Sequence, residues 1–350
     1  MWETGSGSIT TTTMQKNLIL IGACYLDTIL TVPHFPAEDS KLRATAVQVR
    51  RGGNCPNTLE VLQQLLYSDS RQQQQQHGPR TTKITPHLVS CLPQAQAAAT
   101  RTIVSSFGGQ HQPPGQDEGK ENMIDFSHCL FREGHDEAAS SYIIRSAETG
   151  SRTIVNFNDL PEMTFGEFQM IADKFATTES GADCWWHFEG RIPETTLQCI
   201  RYLRQVIAGS TISVEVEKPG RQGLVELATE SDVVFYSQSW ATARGYTSAE
   251  ECLKGEAPST RASLMLGTWG AEGASALWLP SGEYMHCPAN PSGKELLVVD
   301  TLGAGDTFIA GMLYGLICHA DDWSQKAKLT FAVELATEKV QREGFAGLAP

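Results

Sequence analysis

Apolar positions along this chain fall into short runs, separated by stretches in which they recur every three or four residues. The runs cover residues 18–26, 143–145, 153–157, 211–216, 232–236, 263–267 and 275–279, lengths that suit strands rather than helices. Between them, residues 57–67 place Leu59, Leu62, Leu65 and Leu66 on one helical face. Residues 195–207 do the same with Leu197, Ile200, Leu203 and Ile207. Strands alternating with amphipathic helices predict an α/β fold, with a mostly parallel sheet and helices on both faces. Residues 140–157 break this rhythm. Two β-rich runs flank Ala147-Glu148-Thr149-Gly150, which predicts a hairpin standing off the main sheet as part of a lid. Residues 31–51 supply further lid strands, so the lid is expected within 30–52 and 140–158.

Two stretches carry no periodicity. Residues 70–80 are a glutamine tract, and residues 108–122 are rich in Gly, Pro and charge. Both read as surface insertions, spanning 68–86 and 107–122. Gly115 to Lys120 is one residue short of a phosphate loop, and Glu121 stands where that loop needs Ser or Thr. Residues 1–13, rich in Ser, Thr and Gly, read as a disordered tail.

The net charge of −13, with no long Lys/Arg run, argues against a nucleic-acid partner. No apolar segment reaches the length of a membrane span. The run at 17–26 follows Lys16 but ends at Asp27 without a cleavage site, so it reads as a buried first strand and not a signal peptide. Nine scattered cysteines without a C-x-x-C motif read as reduced thiols of a cytoplasmic protein, and Cys184-x-x-His187 as packing.

Two clusters carry chemistry. In DTLGAGDTFIAGMLYG, residues 300–315, Gly303-Ala304-Gly305 precedes Asp306 at the start of a helix. Glycines allow close approach of a ligand, and the first turn of a helix offers unpaired N–H groups to an anion. Asp306 then either takes a proton from an incoming hydroxyl or simply favours the helix N-terminus. Phe308, Met312, Leu313 and Leu316 give that helix its buried face. In RRGGNCPN, residues 50–57, Gly52-Gly53 permits an unusual turn before Asn54 and Asn57. Asn57 is a helix N-cap, or both amides converge on a polyhydroxylated ligand. Asp27, at the end of the first predicted strand, is a third candidate there.

These stretches resemble the ribokinase-like (PfkB-type) carbohydrate kinases. Residues 300–313 match the second signature of that family, and RRGGNCPN its N-terminal signature. Within the family the chain is similar to the ketohexokinase subgroup. FPAEDSKLR (35–43), SRTIV (151–155), HFEGR (187–191), SVEVEKP (213–219), SDVVF (231–235), TSAEECLKG (247–255) and WGAEGASAL (269–277) carry that likeness. It covers residues 17–66 and 124–350. The resemblance implies a ribokinase-like three-layer α/β/α sandwich with a mostly parallel central sheet and a small β-sheet lid, in a single kinase domain over 14–347. It implies an ATP-dependent sugar kinase acting on a ketohexose, D-fructose at O1 foremost.

By the same resemblance Asp306 is the general base, and the N–H groups of Gly303, Ala304 and Gly305 form the anion hole. Asp27, Gly53, Asn54 and Asn57 hold the sugar, and Arg152 reaches the ATP phosphates. Gly270, Ala271, Glu272 and Gly273 line the nucleotide. Mg2+ arrives with ATP, and K+ binds near the Asp300–Thr301 backbone. Two lids clasp in a homodimer, where Asp39 enters the neighbour's site. Four departures stand beside this. Gln238 and Ser239 replace a lysine and an acid, so the family's N-x-x-E motif is absent. Ala271 replaces an acid, Ile309 an asparagine, and residues 91–101 lack a Gly-x-Asp pattern. Glu215 and Glu217 are metal-handling or ion-pair residues. The rival readings are a kinase of ribose, of fructose at O6 or of a nucleoside, and a catalytically weak sugar or nucleotide sensor.

Overall fold

The computed structural model describes residues 14–76, 82–107, 123–177, 183–293 and 295–349. The expected tail and most of the 107–122 insertion lie outside them. The main sheet has eight strands: β1 (Met14–Ile21), β4 (Thr82–Val89), β9 (Cys184–Phe188), β10 (Thr211–Val216), β11 (Val233–Tyr236), β12 (Leu264–Thr268), β13 (Ala274–Trp278) and β14 (Glu283–Cys287). Their spatial order is β14-β13-β12-β11-β10-β9-β1-β4. All neighbours pair in parallel except β12–β13 and β13–β14. A four-stranded lid, ordered β3-β2-β7-β8, is built from β2 (Tyr25–Val32), β3 (Ala46–Gly52), β7 (Ala139–Ser146) and β8 (Arg152–Phe157). A short parallel pair, β5 (Cys91–Pro93) and β6 (Leu130–Arg132), completes the strands.

The side-chain alternation of a strand sorts the core into two faces. Leu18, Leu20, Leu264 and Leu266 pack under α1 (Asn54–Gln76), α2 (Ala98–Ser106), α8 (Ala304–Ile317) and α9 (Gln325–Val340). Ile19, Ile21, Val234 and Met265 pack under α3 (Phe165–Ala176), α4 (Pro193–Val206), α5 (Leu224–Glu230), α6 (Gln238–Ala243) and α7 (Ala249–Glu256). The result is three layers, α/β/α. Helix α8 is apolar nearly all round and is buried accordingly; of its expected face, Leu316 is only partly buried. A Cβ on Gly311 would stand 2.7 Å from Ala332 Cα, so that glycine sets how closely α8 and α9 pack.

The hairpin expected at 140–157 forms, with Arg145 opposite Arg152. Several boundaries differ from the sequence reading. The single strand expected at 18–26 is two strands in two sheets. The chain leaves the main sheet at Gly22, where a Cβ would stand 2.7 Å from Glu189 Oε2 and 2.8 Å from Cys55 Sγ. The N–H of Ala23 then donates to Glu189 Oε2 at 2.8 Å, which turns the chain toward the lid. Asp27 is therefore a lid residue on β2, not the end of the first strand. Helix α1 starts three residues earlier than expected and runs through the glutamines to Gln76, because glutamine is a good helix former. The expected 68–86 insertion thus contains the end of α1 and the start of β4. Pro86 and His87 hid β4 by interrupting its apolar run. Pro86 is tolerated because β4 ends the sheet order.

Candidate active site

A cleft of about 750 Å³ opens at the carboxyl ends of the parallel strands, between the main sheet and the lid. Open α/β sheets place their ligand sites at this end. Strand ends contribute Glu189, Glu215, Glu217 and Lys218. The lid contributes Asp27, Ser141, Arg152 and Asn156, the start of α1 Asn54 and Asn57, and the start of α8 residues 301–306.

Asp306 is buried in the first turn of α8. Gly303 precedes that turn in the left-handed conformation, with φ of 77°. The first helical bond runs from Thr307 N–H to Gly303 O at 2.9 Å, and Ala304 N–H reaches Thr301 O at 3.3 Å. Asn57 Nδ2 donates to Asp306 Oδ2 at 2.8 Å, and Thr58 Oγ1 donates to the Asp306 carbonyl at 3.2 Å. The two signature segments, far apart in sequence, thus meet at one carboxylate. Asn57 is not an N-cap, because its own N–H already bonds to Gly53 O at 2.9 Å inside α1. Gly53, with φ of 107°, makes this possible; a Cβ there would stand 2.1 Å from Ala23 O. A Cβ on Gly52 would stand 2.4 Å from Asp27 Oδ2, so the double glycine seats Asp27 as well.

The sequence reading missed Arg51. Its Nη1 donates to Asn57 Oδ1 at 3.3 Å, its Nη2 pairs with Glu60, and its guanidinium stacks 4.2 Å over the Phe107 ring. That fixes which way the Asn57 amide points, and so which atom meets Asp306. Arg51→Met is expected to cost roughly 2–3 kcal/mol, because it strands Glu60 and Asn57 in a largely buried place. Arg50→Met removes a looser, part-buried 3.7 Å pair with Asp300, which keeps Lys339 at 2.8 Å, and is expected to cost less, about 1 kcal/mol. Urea denaturation of both variants checks the difference.

Asn54 Nδ2 donates to Glu215 Oε2 at 2.7 Å and to Glu217 Oε2 at 3.1 Å. Glu215 Oε1 lies 3.1 Å from His187 Nε2, whose Nδ1 lies 2.8 Å from Ser213 Oγ. Burial pushes the His187 pKa down to about 3, so the ring is neutral; Nε2–H donates to Glu215 and Nδ1 accepts from Ser213. His187 is thus more than packing: it braces an acid of the cleft.

Burial, reinforced by mutual repulsion, raises the Glu189 pKa to about 7 and the Glu215 pKa to about 8. Burial and the charge of Glu215 raise Asp306 well above the usual carboxylate range, against the opposing Asn57 hydrogen bond. A floor of crowded carboxylates suits a bound cation. In the ligand-free protein these acids hold protons that the unfolded chain has already released. Stability therefore falls as pH rises from the ordinary glutamate value of 4.5 toward about 8. Buried His87 and His187, with pKa values of about 4 and about 3, act in the opposite sense below 6.5. The clean window is thus pH 6.5 to 8. Across it the melting temperature is expected to drop by roughly 3–5 °C, and Glu215→Gln should flatten the drop. Thermal unfolding against pH measures both.

The remaining expected residues are spread out. Arg152 stands exposed at the lid side of the cleft. Gly270, Ala271, Glu272 and Gly273 form a single turn just past Thr268 and do not themselves line the cleft, although Thr268 does. Asp39 is exposed in the 33–45 connection, has φ of 57°, and does not line its own chain's cleft. Lys339 Nζ donates to Asp300 O at 3.0 Å and Oδ2 at 2.8 Å, so an ammonium already meets the backbone expected to hold K+. Ile309 and Ser239 line the cleft, whereas Gln238 does not. The reading also missed Lys218, Arg191 and Arg221, which bring positive charge to the cleft. A signal was available for Lys218 and Arg191, each of which stands within two residues after an acid at a strand's carboxyl end.

A helix start that gathers N–H groups favours an anion, and an acid buried beside it is placed to take a proton. Together they suit transfer of a phosphoryl group to a hydroxyl. The chain belongs to the PfkB family of carbohydrate kinases, whose family model (pfkB family carbohydrate kinase) matches residues 116–350. It is a phosphotransferase acting on a sugar hydroxyl. It is 28% identical over 343 residues to ketohexokinase of Mus musculus, a match covering 95% of this chain and 99% of that protein. Arabidopsis thaliana ribokinase, solved with ribose and ATP, superposes with a TM-score of 0.69 at 16% identity, covering 96% of both chains. The nucleoside kinase of Methanocaldococcus jannaschii, a ribokinase-family member, gives 0.64 at 15% identity over 97% of this chain and 96% of that one. These likenesses establish the ribokinase fold. Sugar kinases of this family use ATP and Mg2+. Among the described residues, no helix is long and apolar enough to cross a membrane.

Proposed function

We propose that this protein phosphorylates a ketohexose, D-fructose, at O1. The observation that carries the reading is Asp306, buried in the first turn of α8, held by Asn57 and facing the cleft behind the Gly303-Ala304-Gly305 turn. Asp306 accepts the proton of the C1 hydroxyl as that oxygen bonds to the γ-phosphorus of ATP and ADP departs. The N–H groups of the turn stabilise charge on the transferred group. When bound, ATP supplies the phosphoryl group and Mg2+ offsets phosphate charge. Glu215 and Glu217 are the acids suited to Mg2+, and Arg152 and Lys218 are the cations suited to phosphate. Gly270, Ala271, Glu272 and Gly273, next to the cleft, are proposed to border the nucleotide. Asp27, Gly53, Asn54 and Asn57 hold the sugar. Asn54 Nδ2 is engaged by two glutamates, so its carbonyl oxygen is the group offered to a hydroxyl.

A single catalytic domain over 14–347, a cytoplasmic location and a lid-to-lid homodimer belong to the same proposal. The lid supports the dimer by exposing Val47 (65%), Val49 (59%) and Val155 (61%), an apolar face suited to a second copy. Asp39, absent from its own cleft, would then serve the partner's. K+ is proposed near Asp300–Thr301; with Lys339 already there, the expected stimulation by K+ is small. The regiochemical claim is tested by NMR of the product formed from D-fructose and Mg·ATP. A 1-phosphate supports it, and a 6-phosphate refutes it.

A further inference from the structure

We propose that His87, Asp125 and His128 form a second site, apart from the cleft, for one divalent transition-metal ion of the zinc class. One ligand atom from each lies within 4.8 Å of the others. Backbone bonds build the site. Leu88 N–H donates to Asp125 O at 3.0 Å, and Asp125 N–H donates to Pro86 O at 2.9 Å, which clamps Asp125 beside His87 on the outer strand β4. Asp125 Oδ1 accepts from Ser127 N–H at 2.7 Å. That leaves Oδ2, 3.2 Å from His87 Nδ1. Two ligands on ~2.0 Å bonds in a tetrahedral zinc site stand about 3.3 Å apart.

The His87 ring is oriented as a ligand. Its Nε2 lies 3.1 Å from Asn17 Oδ1, while Asn17 Nδ2 turns to Cys184 Sγ at 3.9 Å. Nε2 therefore carries the proton and Nδ1 the lone pair. An oxygen partner on the far nitrogen is the usual way a metal-binding histidine is held. Nδ1 of His87 and Nδ1 of His128 are both buried and, apart from the 3.2 Å approach of His87 Nδ1 to Asp125 Oδ2, neither has a hydrogen-bond partner among the described residues. Buried polar atoms rarely go unpaired without a reason. Phe175 packs against both rings, at 5.2 and 4.9 Å between centroids, and holds them on one side. A plain His87–Asp125 ion pair is the competing account. Burial of His87 opposes it, because the charged ring that such a pair needs is costly to hold there. Neutral imidazole is the form that binds metal. Three protein ligands leave a fourth position for water. The ion would clasp the 123–129 segment to β4.

The test uses the full-length protein, stripped with EDTA, then titrated with Zn2+ against a chromophoric chelator and with Co2+ by visible absorption. One equivalent of Zn2+ and a tetrahedral Co2+ spectrum are expected. His128→Ala and Asp125→Asn should each lose that equivalent. Asn17→Leu should keep the stoichiometry with ~10–100-fold weaker affinity. If Asp125→Asn fails to fold, His128→Ala, which changes the partly exposed member, carries the test. No tight equivalent in the wild type overturns the proposal. So does an equivalent that survives in His128→Ala, which would point to the other close set, Cys55, His187 and Glu215.

Discussion

Asp306→Asn should lower turnover by ~10²–10⁴-fold, the usual worth of a general base, while sugar binding persists. The substitution keeps the size of the side chain and leaves an oxygen to accept from Asn57 Nδ2. What it removes is the group that receives the hydroxyl proton. It also removes a carboxyl group whose ionised form is disfavoured by burial and by the charges of Glu215, Glu217 and Glu189. The variant should therefore be at least as stable as the wild type at pH 8. Loss of activity with no loss of stability separates a chemical role from a structural one. Steady-state ADP release, sugar titration by calorimetry and thermal unfolding measure the three quantities. A variant that keeps wild-type turnover would remove Asp306 from the chemistry.

Gly303→Ala should be damaging in two ways. The residue sits at φ of 77°, which an L side chain adopts only at a cost of about 1–3 kcal/mol. Its new Cβ would also stand 2.2 Å from Phe345 Cζ and 2.5 Å from Cε1, so the ring or the turn must move. A displaced turn misaims the N–H donors, and losing one such donor typically costs ~10²–10³-fold in rate. The double variant with Phe345→Ala tells the effects apart. Removing the ring relieves the clash and should recover part of the stability, but the left-handed requirement stays and turnover should remain low. Full turnover in Gly303→Ala would show that the turn does not stabilise the transferred group.

Local signals were readable in the sequence, and long-range ones were not. The glycines before Asp306 and before Asn54 announced special backbone next to helix starts, and both turns form. The hairpin around Gly150 was equally local. Nothing in residues 18–26 says that an unbroken apolar run passes from one sheet to another. That break depends on Glu189 and Cys55, which press on Gly22 from distant parts of the chain. Arg51 was hidden because its worth lies in aligning Asn57, a contact that only folding α1 against β3 creates. His187 looked like core and proved to brace Glu215. The glutamine tract misled by composition, since a low-complexity stretch of good helix formers can extend a helix that is already nucleated. The position of Gly270 to Gly273 past the end of β12 was likewise beyond the reach of a motif.

The most direct measurement is Mg·ATP-dependent ADP release by the purified protein with D-fructose, ribose, tagatose, glucose and adenosine, alongside Asp306→Asn. The prediction is turnover with D-fructose at the highest kcat/KM of the panel, lost in the variant. Preference for ribose or adenosine would contradict the ketohexose assignment while keeping the mechanism. No turnover with any of the five, from folded protein that binds ATP, would contradict the proposed ketohexose kinase activity and favour a sensor.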